Sequence, residues 1–281
     1  MNPAHAPDLR HGLLQHGVGG AVLDPGLAAR RAQPDWIGCD LRCYRLRLAE
    51  TEAERAAACR LRFRVFNLEL GEGLPESYAN GMDQDAYDSV CEHLLVEEKG
   101  TGRIIGTYRM QSGMTAWDHL GYYSAQEFDF AVYEGLRPQL LELGRACIDR
   151  EHRGSEVLTL LWRGIAQYAH HHKLRYLIGC SSVPSQDAAT GWAMYHRLAP
   201  FLAAPDLRTQ PAAGYRLPAP ASDTAVPETH VPKLLKTYLA VGARICSEPA
   251  WDRAFGTIDF LTLQDMDELA PAARSRFLCR P

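Results

Sequence analysis

Two charged residues stand three positions apart near the middle of the chain, in the segment Glu142-Leu143-Gly144-Arg145. A carboxylate can take a proton from a reacting group, and a guanidinium can bind another carboxylate through two parallel hydrogen bonds. A regular strand would point these two side chains to opposite faces of a sheet. Because a glycine lies between them, the segment predicts a β-bulge that turns both charges into one cleft. The alternative is an ion pair on an edge strand.

Three aspartates, Asp83, Asp85 and Asp88, lie together in a polar loop. Their D-x-D-x-x-D pattern also occurs at the start of calcium-binding loops. Here the sixth position of such a loop is Asp88 instead of glycine, and the twelfth is Leu94 instead of glutamate, so we reject a calcium site. The aspartates would therefore either bind a cationic group or form a structural network with arginines such as Arg109.

The spacing of apolar residues predicts the strands and helices that would position these groups. The predicted strands cover residues 41–48, 93–97, 103–110, 142–149, 175–180 and 257–263, and the predicted helices cover residues 52–70, 124–128, 156–172, 187–198 and 232–241. This order predicts an α/β protein with a mixed sheet and a central hairpin. The hairpin and the lack of a glycine-rich phosphate motif argue against a doubly wound nucleotide-binding fold.

The composition excludes several classes of protein. The chain has 281 residues, a formal net charge of −4 and 46% hydrophobic residues. These values suit a globular protein with a sizeable core and argue against a general nucleic-acid binder. No apolar run is long enough to span a membrane, and the start lacks the order of a secretory signal. The eight cysteines contain no C-x-x-C pair, so we predict reduced thiols in the cytoplasm and no metal site.

The domain organisation is predicted from the distribution of proline and glycine. Residues 1–35 hold four prolines and no sustained period, so we predict a poorly ordered N-terminal arm. Residues 36–281 are predicted to form a single domain with a proline- and alanine-rich loop near residues 203–231. Apolar and basic residues at 9–14 and 27–31 suggest, as an alternative, peripheral contact with the inner face of the cytoplasmic membrane.

Nine short segments, taken together, carry a resemblance to known enzymes. They are residues 61–66, 83–88, 93–96, 105–110, 142–145, 160–166, 177–182, 234–239 and 248–252. In this order the segments resemble the GNAT superfamily of acyltransferases, and within it the ornithine-acyl-ACP N-acyltransferases. The acyl-homoserine lactone synthases and the long-chain N-acyl amino acid synthases are related families. The resemblance covers roughly residues 41–279 and implies a GNAT-like fold, with a central, mixed, splayed β-sheet flanked by helices.

The resemblance also implies roles for residues on and near the central strand. Where two neighbouring strands splay apart, backbone N–H groups near Ala146, Cys147 and Ile148 would stabilise the oxyanion of a tetrahedral intermediate. Glu142 would be the base that takes a proton from the attacking amine, directly or through a water molecule. Tyr195 would protonate the leaving thiolate, although its helix also suits a tyrosine that packs on the core.

The loop before the long helix departs from the family pattern Q/R-x-x-G-x-G/A, because residues 150–155 read R-E-H-R-G-S. In acetyltransferases the backbone N–H groups of this loop hold the coenzyme A pyrophosphate. An arginine in a glycine position disfavours that donor and suits a phosphopantetheine thioester attached to acyl carrier protein. Arg150, Arg153, Gly154 and Ser155 would then face the carrier, whereas the alternative is a solvated basic turn. We expect no bound cofactor, since this thioester is a substrate.

The resemblance implies L-ornithine, or a similar amino acid, as the acceptor. Arg109 or Arg145 would bind its carboxylate, and the three aspartates would hold its side-chain ammonium. The alternative for both arginines is a structural network with the aspartates. The side-chain amine, with a pKa of about 10.4, is almost wholly protonated at neutral pH, so the less basic α-amine would react. The predicted substrate-binding residues are Arg62, Asp83, Asp85, Asp88 and Arg109.

We therefore predict an N-acyltransferase that moves a long-chain, 3-hydroxy fatty acyl group from acyl carrier protein to the α-amine of L-ornithine. The product would be lyso-ornithine lipid, in the first step of ornithine lipid biosynthesis. The alternatives are a signal synthase that uses a different acceptor and a non-catalytic GNAT-like binding domain. The intact charged residues disfavour the binding domain, and the match over residues 231–277 favours lipid synthesis over signalling.

Overall fold

A mixed β-sheet of nine strands runs through the part of the chain that the computed structural model describes, residues 34–219 and 228–278. Its strands are β1 (Cys39–Asp40), β2 (Tyr44–Leu48), β3 (Glu92–Glu98), β4 (Ile104–Ser112), β5 (Leu140–Ile148), β6 (Tyr176–Val183), β7 (Arg244–Ile245), β8 (Ala250–Asp252) and β9 (Thr257–Asp265). They lie in the order β1-β2-β3-β4-β5-β6-β9-β7, and β8 also pairs with β9. Neighbouring strands are antiparallel except for the central pair, β5 and β6. The predicted α/β class with a mixed sheet is confirmed.

Helices cover both faces of this sheet. They are α1 (Glu52–Phe63), α2 (Gly113–Asp118), α3 (Ser155–His171), α4 (Ala188–Leu198), α5 (Lys233–Val241) and α6 (Pro271–Leu278). On β3, Leu94 and Val96 belong to the apolar cluster under α3, whereas Leu95 belongs to the cluster under α1. Because successive side chains of a strand point to opposite faces, α1 and α3 lie on opposite sides of the sheet.

The first helix shows how local sequence sets an element. The Thr51 side chain accepts the backbone N–H of Glu54, and the Glu54 side chain accepts the backbone N–H of Thr51, which is the predicted capping box. After Phe63 the chain continues as a π-helix, Arg64–Leu70, and stops at Gly71 with φ of 69°. Glycine adopts this left-handed conformation without steric cost, so the predicted end of the helix is confirmed.

The predicted strands and longer helices appear within a few residues of their expected bounds, but several short elements were not predicted. These are β1, β7, β8, α2, α6 and the 3₁₀-helix Ala131–Gln139. The predicted helix at residues 124–128 is a single 3₁₀ turn, Ser124–Gln126. Elements of two to nine residues contain too few repeats to show a period in the sequence.

The predicted arm, residues 1–35, lies almost wholly outside the described residues. The described residues form one compact unit, in which Trp36 stacks on the ring of His171 with centroids 4.0 Å apart. Within the predicted loop at residues 203–231, the described part contains short 3₁₀ turns, and residues 220–227 are not described. No helix in the described ranges is long and apolar enough to cross a membrane.

The two central strands pair over a short distance and then separate. Residues 140–142 of β5 pair with residues 176–178 of β6, and no further ladder pair joins these two strands. Gly179 lies next to the point of separation. A Cβ atom added to Gly179 would come within 2.1 Å of the Leu143 carbonyl oxygen. A glycine is therefore required for this close approach. The predicted splay is present, and it opens a cleft in the middle of the sheet.

Candidate active site

A cavity of about 550 Å³ occupies the cleft between β5 and β6. The side chains that line it from α3 and α5 are largely apolar and include Leu158, Leu161, Trp162 and Leu235. The charged and polar side chains come from the strands and from two loops, and they include Tyr123, Ser124, Glu142, Arg145, Asp252 and Asp259. One cavity thus offers an apolar wall and a polar wall, which suits a substrate or substrate pair with both characters.

A bulge in β5 brings the central charges to this cavity. Across β4 and β5, Arg109 is opposite Gly144 and Thr107 is opposite Cys147, so one residue of β4 faces two residues of β5. Arg145 lies at the bulge with φ of 51°, an uncommon conformation for a residue with a Cβ atom. The bulge predicted from Gly144 is confirmed, and the alternative of an edge strand is wrong because β5 is central in the sheet.

The three aspartates of the polar loop bind three arginines. Arg62 is fully buried and donates from Nε to Asp83 Oδ1 at 2.7 Å and from Nη1 and Nη2 to the two carboxylate oxygens of Asp88 at 2.7 and 2.8 Å. Burial would raise the pKa of Asp88, but the hydrogen bonds and charge of Arg62 hold that pKa well below its usual range. This pair is therefore ionised at any physiological pH.

Arg109 and Arg145 complete the same network and also line the cavity. Arg109 donates to Asp85 at 2.5 Å, and Arg145 donates to Asp83 and Asp85 at 3.2 Å. Three guanidinium groups thus balance three carboxylates, which leaves no net negative charge to hold a substrate ammonium. Of the predicted substrate-binding residues, Arg62 and the three aspartates lie outside the cavity lining, where they position Arg109 and Arg145.

Arg145 is held in place by rings as well as by carboxylates. Its guanidinium carbon lies 4.7 Å from the ring centre of Tyr123 and 4.9 Å from that of Phe255. Its hydrogen bonds run from Nε and Nη2, including one from Nη2 to the Tyr123 hydroxyl at 3.3 Å. Nη1 makes no such bond within the described residues, so this edge of the fork can bind a ligand carboxylate.

Glu142 has its own partners and does not pair with Arg145. Its carboxylate accepts the backbone N–H groups of Tyr123 at 2.9 Å and Ser124 at 2.7 Å, and the side-chain amide of Gln111 at 3.3 Å. Burial raises its pKa, while the hydrogen bonds from Ser124 and Tyr123 oppose that rise. Glu142 therefore anchors the loop at residues 123–124 and at the same time faces the cavity.

A second group of carboxylates lies at the cavity and was not predicted. Asp252 and Asp259 line it. Glu127 lies behind Cys180, and the Glu127 carboxylate, the Cys180 thiol and the Asp259 carboxylate are close to one another. Burial, followed by the charge of Asp252, raises the pKa of Asp259 to about 6. The sequence contains one signal of this group, because Asp259 interrupts the apolar run at the start of the last strand.

The structure places Tyr195 away from the cavity. This residue is half-buried on α4, with its ring 5.9 Å from that of Trp192, and it is absent from the cavity lining. Burial raises the pKa of its phenol, which makes it a weaker acid. The packing alternative considered for Tyr195 agrees with this position. Within the described chain, the phenols that line the cavity belong to Tyr108, Tyr123 and Tyr238.

The residues predicted to bind the donor are divided between two places. Ala146, Cys147 and Ile148 line the cavity, and so does Arg153. Arg153 is already engaged, since it donates to both carboxylate oxygens of Glu69 at 2.5 and 2.8 Å. The other donor-loop residues, Arg150, Gly154 and Ser155, are exposed. Helix α3 begins at Gly154 without a side-chain cap, so its first N–H groups face outward from the end of the helix.

Comparisons with known proteins give the family. The family described as "Acetyltransferase (GNAT) domain" matches residues 61–163. The L-ornithine N(alpha)-acyltransferase of Agrobacterium fabrum is 35% identical over 241 residues, covering 80% of this chain and 81% of that protein. The L-ornithine N(alpha)-acyltransferase of Brucella abortus is 34% identical and covers 80% of this chain and 85% of that protein. The chain belongs to the L-ornithine N(alpha)-acyltransferase family.

Membership of this family confirms the predicted resemblance and makes the protein an acyltransferase. Among solved structures, the AHL synthase LasI covers 83% of this chain and 94% of its own, with a TM-score of 0.45 and 12% identity. The N-acyl amino acid synthase FeeM covers 84% and 95%, with a TM-score of 0.45 and 14% identity.

Two groups of side chains in this acyltransferase have the spacing of metal ligands, counting only the described residues. They are Glu127 with Cys180 and Asp259, and Asp149 with Glu151 and His152. In the first group, burial raises the pKa of the Cys180 thiol well above its usual value. A metal binds the thiolate and not the thiol, so this environment disfavours a thiolate-bound metal. The second group lies at the start of the exposed donor loop, where Asp149 also pairs with Arg103 at 3.3 Å.

Proposed function

We propose that this acyltransferase moves a long-chain, 3-hydroxy fatty acyl group from acyl carrier protein to the α-amine of L-ornithine, giving lyso-ornithine lipid. The observation that carries the proposal is the single cavity that joins the apolar walls of α3 and α5 to Glu142 and Arg145 on β5. The two relatives, which are both L-ornithine N(alpha)-acyltransferases, support ornithine as the acceptor. The phosphopantetheine thioester enters as a substrate, so the proposal needs no resident cofactor.

The polar wall would orient the amino acid. Arg145, with Arg109 beside it, would bind the carboxylate, because both line the cavity and both are already oriented by aspartates. Glu142 would accept the proton of the α-amine. Its Oε2 accepts both the Tyr123 N–H and the Gln111 amide, whereas its Oε1 accepts the Ser124 N–H and has a second lone pair for a water molecule or an amine. Its raised pKa brings it nearer to the pH at which it works.

The unpaired edge of β5 would stabilise the oxyanion. Beyond Glu142, the strand has no ladder partner on β6, so N–H groups that would bond to a neighbouring strand are left for an acyl oxygen. Ala146, Cys147 and Ile148 belong to this stretch of β5 and line the cavity. Fixed backbone donors of this kind stabilise a developing negative charge without reorganisation.

The apolar side chains of the cavity would hold the acyl chain, and two polar atoms in the same cavity support a 3-hydroxy group. Trp162 Nε1 and Gln264 Oε1 are buried without a hydrogen-bond partner, and both residues line the cavity. A hydroxyl group would find a donor in the first and an acceptor in the second. An acyl chain without this hydroxyl would leave both atoms unsatisfied, which costs binding energy.

We also propose that the enzyme works at the inner face of the cytoplasmic membrane, because its product is amphiphilic. Leu70 lines the cavity and is 49% exposed, and Leu68 on the same π-helix is 61% exposed. Apolar side chains at the mouth of the cavity would ease the transfer of a lipid product into a bilayer.

The position of the acyl group on the product tests the proposed function. We expect incubation of the protein with 3-hydroxyacyl-loaded acyl carrier protein and L-ornithine to give one product, acylated on the α-nitrogen. Tandem mass spectrometry distinguishes it from the product acylated on the side-chain nitrogen. Acylation of the side-chain nitrogen would contradict the orientation proposed here. A panel that also contains S-adenosylmethionine and other amino acids tests the signal-synthase alternative, which preferential acylation of one of those acceptors would support.

A further inference from the structure

A second group of buried acids, which we name the acidic pocket, lies at the cavity: Asp252 and Asp259, which line the cavity, and Glu127, which does not. Their exposed fractions are 6%, 4% and 2%, in that order. Glu72, half-buried, lines the same cavity, and burial, followed by the charge of Asp259, raises the pKa of Glu72. Cys180 lines the cavity that also holds Glu142 and Arg145, and its thiol lies 3.8 Å from Glu127 Oε1, so Glu127 lies directly behind this wall.

Hydrogen bonds satisfy the acidic pocket only in part. Asp252 accepts the backbone N–H groups of Ala254 and Phe255, each at 2.9 Å. Asp259 accepts the Thr257 hydroxyl at 2.9 Å, and a hydrogen bond from the Ser182 side chain also stabilises its carboxylate. The Oε1 atom of Glu127 accepts the Cys180 thiol at 3.8 Å, whereas Oε2 is buried and has no partner.

No positive charge in the described ranges is paired with this acidic pocket. None of its three carboxylates forms an ion pair with a Lys, Arg or His side chain there. Arg145 influences Asp259 and Glu127 through its charge, but its ion pairs are with Asp83 and Asp85. Burial without a counter-charge raises the pKa of Glu127 and Asp259, so a cationic ligand would supply the charge that these carboxylates lack.

We infer that the acidic pocket binds the cationic side-chain end of the acceptor amino acid. The inference rests on the proposed function, in which the acceptor carries a carboxylate, an α-amine and a second amine. Arg145 and the acidic pocket are adjacent, because the Phe255 ring stacks on Arg145 and the Phe255 N–H is bound by Asp252. An amino acid whose carboxylate binds Arg145 would direct its side-chain ammonium towards Asp252, Asp259 and Glu127.

This assignment differs from the one predicted from the sequence, which gave the ammonium to Asp83, Asp85 and Asp88. Those carboxylates are balanced by three arginines, whereas the acidic pocket has no such partners. Binding of the ammonium by the acidic pocket also explains how the enzyme could reject a neutral amino acid of similar length. A site that binds a charged group discriminates strongly against an analogue that lacks it, because the buried carboxylates would stay unpaired.

The test compares L-ornithine with L-norvaline, whose side chain has the same number of carbons but no amine. With loaded acyl carrier protein as donor, we expect Asp259→Asn to lower kcat/KM for ornithine by about 30-fold or more, mainly through KM. The kcat/KM for norvaline should change by less than about threefold, since norvaline has no side-chain ammonium to pair with that carboxylate. Glu127→Gln is the second variant, because Oε2 of Glu127 has no partner to lose.

Two controls accompany these variants. Asp206→Asn removes an exposed carboxylate elsewhere on the chain and should leave both acceptors unaffected. Asp85→Asn tests the alternative site in the arginine network. Circular dichroism and Tm establish that each variant is folded, and if Asp259→Asn does not fold, then Glu127→Gln and Asp252→Asn carry the test.

Each remaining outcome is decisive. Equal losses for ornithine and norvaline in the pocket variants would overturn the inference, as would a loss of ornithine preference in Asp85→Asn alone. A wild-type enzyme that EDTA inactivates and Zn²⁺ restores, with the effect absent from Asp259→Asn, would assign the pocket to a metal instead. If the wild-type protein acylates no ornithine, the proposed function fails. If it does and the variants keep their preference, only the inference fails.

Discussion

At the scale of single residues, the site depends on side chains whose conformations are over-determined by their neighbours. Arg145 has φ of 51°, and for a non-glycine residue such a conformation costs about 1–3 kcal/mol. The cost is offset because Asp83, Asp85, Tyr123 and Phe255 all contact its guanidinium. Glu142 is likewise fixed by three donors. Both groups are therefore oriented before any substrate arrives.

We expect Glu142→Gln to fold and to lower kcat by about 10² or more, because an amide cannot take the proton of the amine. Steady-state kinetics with the exposed Glu151→Gln as a matched control would measure this. Because burial raises the pKa of Glu142, the wild-type rate should fall on acidification at a higher pH than an ordinary glutamate would give. Normal turnover together with a lower Tm would show that Glu142 has a structural role alone.

The raised pKa of Glu142 also predicts how the stability of the protein depends on pH. A carboxyl group whose pKa is higher in the folded state stabilises the fold while it is protonated, and that contribution is lost as the pH rises through the folded-state pKa. The free energy of unfolding of the wild type, relative to that of Glu142→Gln, should therefore decrease with rising pH. Urea titrations at several pH values measure the difference, and a difference that increases with pH would contradict the assigned shift.

At the scale of elements, the separation of β5 from β6 creates the cavity. The two strands pair over residues 140–142 and 176–178, and the bulge at Arg145 then turns the rest of β5 towards the substrate. A short parallel ladder followed by separation leaves main-chain donors exposed in the middle of a sheet. Gly179 permits the last close approach between the strands before they part.

Gly179→Ala should destabilise this junction, because its Cβ would lie 2.1 Å from the Leu143 carbonyl oxygen. Overpacking of this kind typically costs about 1–3 kcal/mol, and it should also lower activity by moving β5. Gly144→Ala is the matched control on the facing strand, since its added Cβ meets nothing within 4 Å. Urea unfolding of both variants gives the comparison. Equal stability would mean that the strands can separate further without cost.

At the scale of the whole molecule, the enzyme would have to bind the acidic surface of acyl carrier protein although its own net charge is −4. Long-range repulsion would then be overcome by a local basic surface. Arg150 is exposed on the 3₁₀ turn before α3, while Arg153 is partly neutralised by Glu69. Both lie next to the strand residues that are proposed to meet the thioester, so a carrier protein docked there could place its phosphopantetheine arm in the cavity.

We expect acyl carrier protein thioesters to react with a much higher kcat/KM than the same acyl-CoA. Reversing the charges of Arg150 and Arg153 together should raise KM for the carrier more than it lowers kcat, and the effect should weaken with added salt. Reversing the exposed Arg60 of α1 is the matched control. Equal kcat/KM for the two donors in the wild type would exclude a dedicated carrier site.

The sequence by itself determined the features that depend on neighbouring residues. The capping box at Thr51 and Glu54, the stop at Gly71 and the bulge in β5 each depend on a few adjacent residues, so they were predictable. The order of the longer strands and helices was also predictable, because each contains several repeats of its period. The order of the matching segments was enough to identify the family.

Only the tertiary structure decided which charges meet. Arg145 and Asp83 are 62 positions apart in the chain, and Glu127 and Asp259 come from separate segments that the sheet brings together. No local pattern shows that Asp83, Asp85 and Asp88 are neutralised while Glu127, Asp252 and Asp259 are not. The same applies to Tyr195, whose helix period was predicted but whose distance from the cavity was not. These partnerships depend on the packing of distant elements, which a one-dimensional pattern does not contain.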